Sequence, residues 1–287
     1  MKYIDTPEQK RIALDILVEF AKFCEAHSLK YFLTYGTLIG AVRHKGYIPW
    51  DDDIDVWMPR KDYETFIHSF QGHPYYEVMA NEINPNYGKL FAVLNDTRTV
   101  KTEKLTRKRC EGTVCVNIDI FPVDYLPDNP DEQIELLKKV KSIENKLACL
   151  TYAYGKGRTF LSTIRKNLGI FIYRSLDTCR IVTTRKLARQ HRRLLGQYSD
   201  TNTAGCFANT GFNGMEEVMP LKYFQDRIEM EFEGHILKVP KEYDYILRHI
   251  YGDYMQLPPE SERVSIHSNI CYWKDKYDSD ESVCLLH

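Results

Sequence analysis

Asp51, Asp52, Asp53 and Asp55 place four carboxylates within five positions, at the head of the apolar run Ile54, Val56, Trp57 and Met58. Adjacent carboxylates repel and resist burial unless a proton or a cation compensates, so the cluster points to divalent-metal chemistry. Read as a strand of period two, it turns Asp51, Asp53 and Asp55 to one face and Asp52, Ile54 and Val56 to the other. One face is wet and anionic, and the opposite one is largely core. The run from Thr113 to Ile120 is the clearest alternating strand, with Asn117 and Asp119 on one face and Ile118 and Ile120 on the other. If the two strands neighbour each other in a mixed sheet, Asp119 joins Asp53 and Asp55 as a third ligand for one or two hard cations. Magnesium combines carboxylates with substrate phosphates. The expected chemistry is therefore transfer of a nucleotidyl or phosphoryl group from a diphosphate donor to a hydroxyl. Asp55 and Asp119 are both candidates for the base, and Asp51 and Asp52 read as ligands, as turn residues or as solvated neighbours.

Phosphate also needs a cradle. In the run from Tyr35 to Arg43, Gly36 permits close backbone approach and Thr37 offers a hydroxyl and an N-cap at the opening of a short helix, a natural place for phosphate. Arg43 is the nearest cation, and the basic run from Lys101 to Arg109 is a second possible clamp for a diphosphate. Rival readings of the acids fit less well. A calcium loop requires a central Gly and a terminal Glu that Val56-Trp57-Met58-Pro59 does not supply. A glycosidase separates its acid from its nucleophile, whereas these acids crowd together. His44, His73, His235 and His267 lack zinc-ligand spacing, and His267 reads as a surface or core histidine.

Several elements must position these groups. Apolar residues at helical spacing predict a helix over residues 7–27, followed by a short strand at Tyr31-Phe32-Leu33. A helix is expected after Arg60, strands near residues 76–79 and 89–94, and an end to the Asp119 strand at Phe121-Pro122. Residues 131–195 read as long helices with a break near residues 154–157. A hairpin turns at Glu233-Gly234, and Pro240 is placed to open the next helix. The expected division is a catalytic core in residues 1–130, a basic helical region in 131–200 and a C-terminal part, 201–287, that completes the catalytic unit.

The chain has 287 residues with 39 basic and 40 acidic side chains, and a formal net charge of −1 carries no footprint for nucleic acid. Eight scattered cysteines without a CxxC pair read as reduced thiols of a cytoplasmic protein. The N-terminus lacks the apolar stretch of a signal peptide, and no uncharged span is long enough to cross a membrane. The charge is unevenly spread, however. Residues 158–195 hold ten basic side chains against the single acid Asp177, interleaved with Leu168, Ile170, Phe171 and Ile172. That region reads either as a solvated helical subdomain or as a surface that meets an acceptor or the inner face of the cell membrane.

The motifs together have a known counterpart. Tyr35 to Arg43 followed by Gly46 to Val56 resembles the signature of the LicD family of phosphocholine transferases, within the nucleotidyltransferase superfamily. The likeness continues at Asn117-Ile118-Asp119-Ile120-Phe121-Pro122, at Phe232-Glu233-Gly234, at Val239-Pro240-Lys241-Glu242-Tyr243 and at Tyr251-Gly252-Asp253-Tyr254. The resemblance implies an α/β (α+β) fold, a nucleotidyltransferase-like mixed sheet core with an inserted or appended helical region. In that core Gly36-Thr37 matches the Gly-Ser/Thr element, Asp53 and Asp55 match the metal pair, and Asp119 matches the third carboxylate. It implies Mg²⁺ or Mn²⁺ as cofactor and CDP-choline as donor, with a glycan or lipid-linked glycan as acceptor. Ribitol or glycerol phosphate from its own CDP donor stays open, as does nucleotidyl transfer from an NTP. A non-catalytic glycan- or membrane-binding protein is the reading outside enzymes. A choline group would call for an aromatic cage, for which Trp50, Trp57 and Tyr87 are the candidates.

Overall fold

The computed structural model describes residues 1–84, 87–102, 115–155, 159–210, 213–265 and 270–275. Strand β1 (Tyr3–Ile4) leads into helix α1 (Thr6–Ala26). Asp5 caps α1 by accepting the Glu8 N–H at 2.9 Å, and Pro7 sits in the first turn, where no N–H partner is needed. Ile12, Ile16, Leu17, Phe20 and Cys24 form the buried stripe of α1. There follow β2 (Phe32–Leu33), α2 (Tyr35–His44), β3 (Asp55–Pro59), α3 (Arg60–Ser69), β4 (Tyr76–Met79), β5 (Ala92–Asp96), β6 (Thr99–Thr102) and β7 (Asn117–Leu126). Helices α4 (Pro130–Thr151), α5 (Phe160–Thr178) and α6 (Thr184–Leu195) come next, then β8 (Thr203–Gly205) and β9 (Met219–Pro220). The hairpin β10 (Arg227–Phe232) and β11 (His235–Pro240), helix α7 (Tyr243–Tyr251) and β12 (Ile270–Trp273) complete the described chain.

The main sheet runs β2-β3-β7-β5-β4, with β8 on β7 and β9 on β8. It is mixed: β3 and β7 are parallel and their other neighbours are antiparallel. Residue parity on the central strands separates two apolar layers. Val56, Met58, Ile118 and Ile120 pack with α1 and with Tyr63 and Phe66 of α3. Trp57, Phe121 and Val123 pack with Ile143, Leu147 and Leu150 of α4 and Leu187 and Ala188 of α6. The helical layer is thus part of the core, and the result is a mixed α/β unit. The acid-bearing face is wet only where the strands begin, since farther along the same face Trp57 and Phe121 are buried.

Several boundaries differ from expectation: β5 covers Ala92–Asp96 against the expected 89–94, β3 begins only at Asp55, and two further differences involve prolines. β7 continues through Pro122 to Leu126. The Asp119 N–H donates to Ile54 O, just before β3, so Pro122, of opposite parity, faces away from β3, and pairing with β5 has already ended at Ile120. The absent proline N–H therefore breaks no ladder bond. Pro240 ends β11 opposite Arg227, and α7 starts at Tyr243. Thr113 and Val114 of the expected Asp119 strand, Lys156 and Gly157 of the expected helix break, and residues 103–109 of the basic run lie outside the described residues.

A buried ion network ties the helical layer to the sheet. Arg60 Nε and Nη2 donate to Asp124 of β7 at 2.6 and 2.7 Å, and Glu82 receives Arg192 of α6 at 3.2 Å. The Arg60 side chain is 19% exposed and that of Asp124 only 5%, so either partner alone would be a stranded buried charge. Arg60→Ala is expected to lower unfolding free energy by ~3–5 kcal/mol in urea titrations, whereas Lys139→Ala on the exposed face of α4 should change it by less than about 0.5 kcal/mol.

Candidate active site

The register of β3 on β7 sets Asp55 directly opposite Asp119. Opposite residues of a parallel pair point to the same face, with strands about 4.8 Å apart. Both carboxylates are partly exposed while Ile54, Val56, Ile118 and Ile120 beside them are buried. The alternation extends back from β3, with Asp51 and Asp53 partly exposed and Asp52 buried. Asp52 is turned toward α1, within 3.3 Å of Gln9 Nε2, and accepts the Ser265 hydroxyl at 3.2 Å. It anchors the acidic loop to the fold.

Burial together with Asp53, Asp119 and Asp51, in that order, holds the Asp55 carboxyl well above the usual carboxylate range, and Lys89 opposes them. The four acids therefore sense one another. On Asp119, Oδ1 accepts the Asn117 amide at 2.6 Å, leaving the Asn117 Oδ1 buried without a partner. Hard oxygen donors with unbalanced negative charge suit a hard cation in kind. Among the described residues, though, no three His, Cys, Asp or Glu side chains are gathered tightly enough to hold one ion. The structure brings Asp55 and Asp119 together and leaves Asp53 beside them rather than in a closed triad.

Helix α2 supports the pair from below. Thr34 takes the N-cap position, and Thr37 lies one turn inside, where its hydroxyl accepts the Asp55 N–H at 2.9 Å. Thr37 thus fixes the first residue of β3 rather than capping the helix. A Cβ on Gly36 would lie 2.3 Å from Asp51 Oδ2, so only glycine admits the Asp51 carboxylate there. Arg43 donates to Tyr254 O at 2.7 Å and to His44 Nε2 at 2.9 Å, which holds its guanidinium near the turn after α7. The loop into the acids is clamped by the hairpin. Glu233 and Gly234 both have positive φ, 48° and 77°, as a two-residue hairpin turn demands. Glu233 makes up for its strain by donating its N–H to Lys45 O and accepting the Tyr47 N–H on its side chain.

Of the aromatic candidates for a cage, Trp57 and Tyr87 are core residues, 0% and 3% exposed, while Trp50 carries the Arg263 guanidinium 5.8 Å over its ring. His267 lies outside the described residues.

Sequence reasoning missed Glu217. It closes a short 3₁₀ turn, 2% exposed, and its Oε1 accepts the Tyr35 hydroxyl at 2.8 Å and the Asn213 amide at 2.7 Å, while Oε2 has no partner. Trp57 Nε1 donates to the same Tyr35 hydroxyl at 3.2 Å, so the chain Glu217, Tyr35, Trp57 locks the start of α2 against β3. Although Tyr251 is 42% exposed as a residue, desolvation of its hydroxyl, then Glu217 and the acids around Asp55, raise its phenol above the usual range. Gly214-Met215-Glu216-Glu217 has no periodicity or motif that would have marked it. Tyr251 lies in a motif that carried the family likeness.

The mixed sheet with paired carboxylates at the start of two parallel strands, beside a Gly-Thr helix opening, defines a nucleotidyltransferase-type core. The profile of the family described as "LicD/FKTN/FKRP, nucleotidyltransferase domain" matches residues 28–129, the span that contains Gly36, Thr37, Arg43, the four clustered aspartates and Asp119. A protein of Haemophilus influenzae named lipopolysaccharide cholinephosphotransferase LicD is 32% identical over 277 residues, 95% of this chain and 99% of its own length. An uncharacterised protein of Rickettsia typhi is 29% identical over 135 residues, 47% of this chain and 40% of its own, and so adds only a partial match. The chain belongs to the LicD family and is a LicD-type phosphotransferase.

Burial pushes the Glu217 carboxyl up from 4.5 to about 7 against the two donors on Oε1. The folded state then holds an extra proton between these values, so the group's contribution to stability declines as pH rises through that window. Comparing wild type with Glu217→Gln by urea denaturation, the difference should move in favour of the variant by on the order of 3 kcal/mol between pH 4 and pH 8. A pH-independent difference would show that the Glu217 carboxyl titrates alike in the folded and unfolded chain.

Proposed function

We propose that this phosphotransferase moves phosphocholine from CDP-choline to a hydroxyl of a cell-surface glycan or its lipid-linked precursor, with Mg²⁺ or Mn²⁺ as cofactor. The observation that carries the reading is the in-register Asp55/Asp119 pair with Asp53 and Asp51 beside it. Its setting is a chain aligned almost end to end with a relative named as a cholinephosphotransferase. Asp55 and Asp119 would hold the ion, and Asp53 beside them would have to close on it to complete the set. Bound there, it supplies positive charge to the donor diphosphate and eases departure of CMP. The chain's own groups do the rest. Gly36 lets the Asp51 carboxylate lie against the helix opening, Thr37 keeps Asp55 in place, and Arg43, held by Tyr254 O, is the cation proposed to meet the diphosphate.

Two measurements test this. CDP-choline, Mg²⁺ and a glycan acceptor should yield CMP and a phosphocholine-bearing product, with Asp53→Asn reducing CMP release by ~10²-fold or more, the scale of losing a principal electrostatic contact to the transferred group. Pyrophosphate release from an NTP would instead assign nucleotidyl transfer, and CMP from CDP-ribitol or CDP-glycerol alone would replace choline with another alcohol.

The second measurement needs no substrate. Because its neighbours disfavour the ionised Asp55, Asp55→Asn should raise the Tm of the protein in EDTA. Mg²⁺ should raise the Tm of the wild type and leave that of the variant unmoved. Equal Mg²⁺ stabilisation of both would remove Asp55 from the ligand set.

A further inference from the structure

Helix α5 presents an apolar surface that the fold does not use. It meets α4 at Gly169, where an added Cβ would lie 3.5 Å from Cys149 Sγ, buries only Ile170, and packs the half-buried Tyr173 against the core. At about 100° per residue, Phe160, Leu161, Ile164, Leu168, Phe171 and Ile172 fall on one arc of about 120°. These six are exposed, Phe160 by 79%, Leu161 by 77% and Phe171 by 61%. The other residues on that arc are Ser175 and Thr178, so it carries no charge. Arg165 borders one edge and Arg174 the other. Arg174 donates to Tyr152 O and lies 4.6 Å over the Tyr154 ring, which brings two half-exposed tyrosines to that border. Residues 159–195 hold nine bases against Asp177 alone, and Arg165, Arg180, Arg185, Lys186, Arg189 and Arg193 are exposed.

We propose that α5 docks this protein on an anionic lipid bilayer, its apolar arc entering the headgroup boundary and the surrounding arginines meeting lipid phosphates. An uncharged arc bordered by cations and tyrosines is the pattern of a helix that lies in a membrane interface, and an excess of cations selects anionic lipid. No described helix is long and apolar enough to cross a membrane, so the contact lies on the surface. A second copy of the chain is the poorer occupant, because pairing the arc with itself sets Arg165 and Arg174 of one protomer against those of its partner.

The test is co-sedimentation of the full chain with vesicles of phosphatidylcholine alone and of phosphatidylcholine with about 30% phosphatidylglycerol. Binding should be at least ~10-fold stronger on the anionic vesicles and fall sharply at about 0.5 M salt. Phe160→Ser with Phe171→Ser should lose at least ~10-fold of that binding, since two buried aromatic side chains are removed from the contact, with an unchanged circular-dichroism melt. Leu168→Ser alone should show a smaller loss in the same direction. Asp53→Asn should bind vesicles as the wild type does, so failure of the donor chemistry and failure of membrane docking are separable. Wild type that ignores anionic vesicles at low salt overturns the proposal, as does a double variant that binds undiminished. A concentration-dependent dimer abolished by the same substitutions would assign the arc to a second copy.

Discussion

Two carboxylates held abreast by a parallel ladder, at the edge of an apolar sheet, is the constraint around which this fold is arranged. Asp55 and Asp119 cannot separate without breaking the register of β3 on β7, and they cannot ionise together without mutual repulsion in a poorly solvated place. The sheet is what makes the arrangement tolerable. Val56, Ile118 and Ile120 bury fully behind the acids, and their apolar burial contributes ~1.5–3 kcal/mol each, enough to hold the strands together against the repulsion.

The second requirement is that everything near the pair be fixed by contacts that do not use the acids themselves. Thr37 holds the Asp55 backbone, Asp52 ties the loop to Gln9 and Ser265, and the Glu233 turn grips Lys45 and Tyr47. The Asp55 carboxyl, by contrast, feels chiefly Asp53, Asp119 and Asp51. Elements distant in sequence hold the two ends of α2, the 3₁₀ turn at Glu217 through Tyr35 and the β10–β11 hairpin through Lys45 and Tyr47 just beyond it.

Much of this was legible in the sequence for a definite reason. Period-two alternation reports side-chain direction, so Asp51, Asp53 and Asp55 were separable from Asp52 and Ile54 even though the strand itself starts only at Asp55. The Asp119 face was legible on the same ground. Strand order and register were not, because no local pattern states that residue 55 pairs with residue 119. Pro122 misled because a proline's effect depends on whether the strand beside it has already ended. Glu217 was invisible because its character comes from burial and from Tyr35, 182 positions away.

The basic helical region shows how one composition can answer two demands. α4 and α6 spend their apolar residues on the sheet, where Leu147, Leu150 and Leu187 close over Trp57 and Phe121. α5 does so only with Ile170 and the half-buried Tyr173, and six of its large apolar residues are exposed. An apolar arc of this breadth on the surface lowers solubility and adds nothing to the fold's own stability, so its presence is a property of what the protein meets. If an acceptor carried on a lipid is brought to an enzyme held at the same surface, the search for it is confined to two dimensions. A weak site for each acceptor then suffices, because local concentration replaces part of the affinity. On that reading the acids would need only to manage phosphate, and the helical layer that completes their sheet would also set where the reaction takes place.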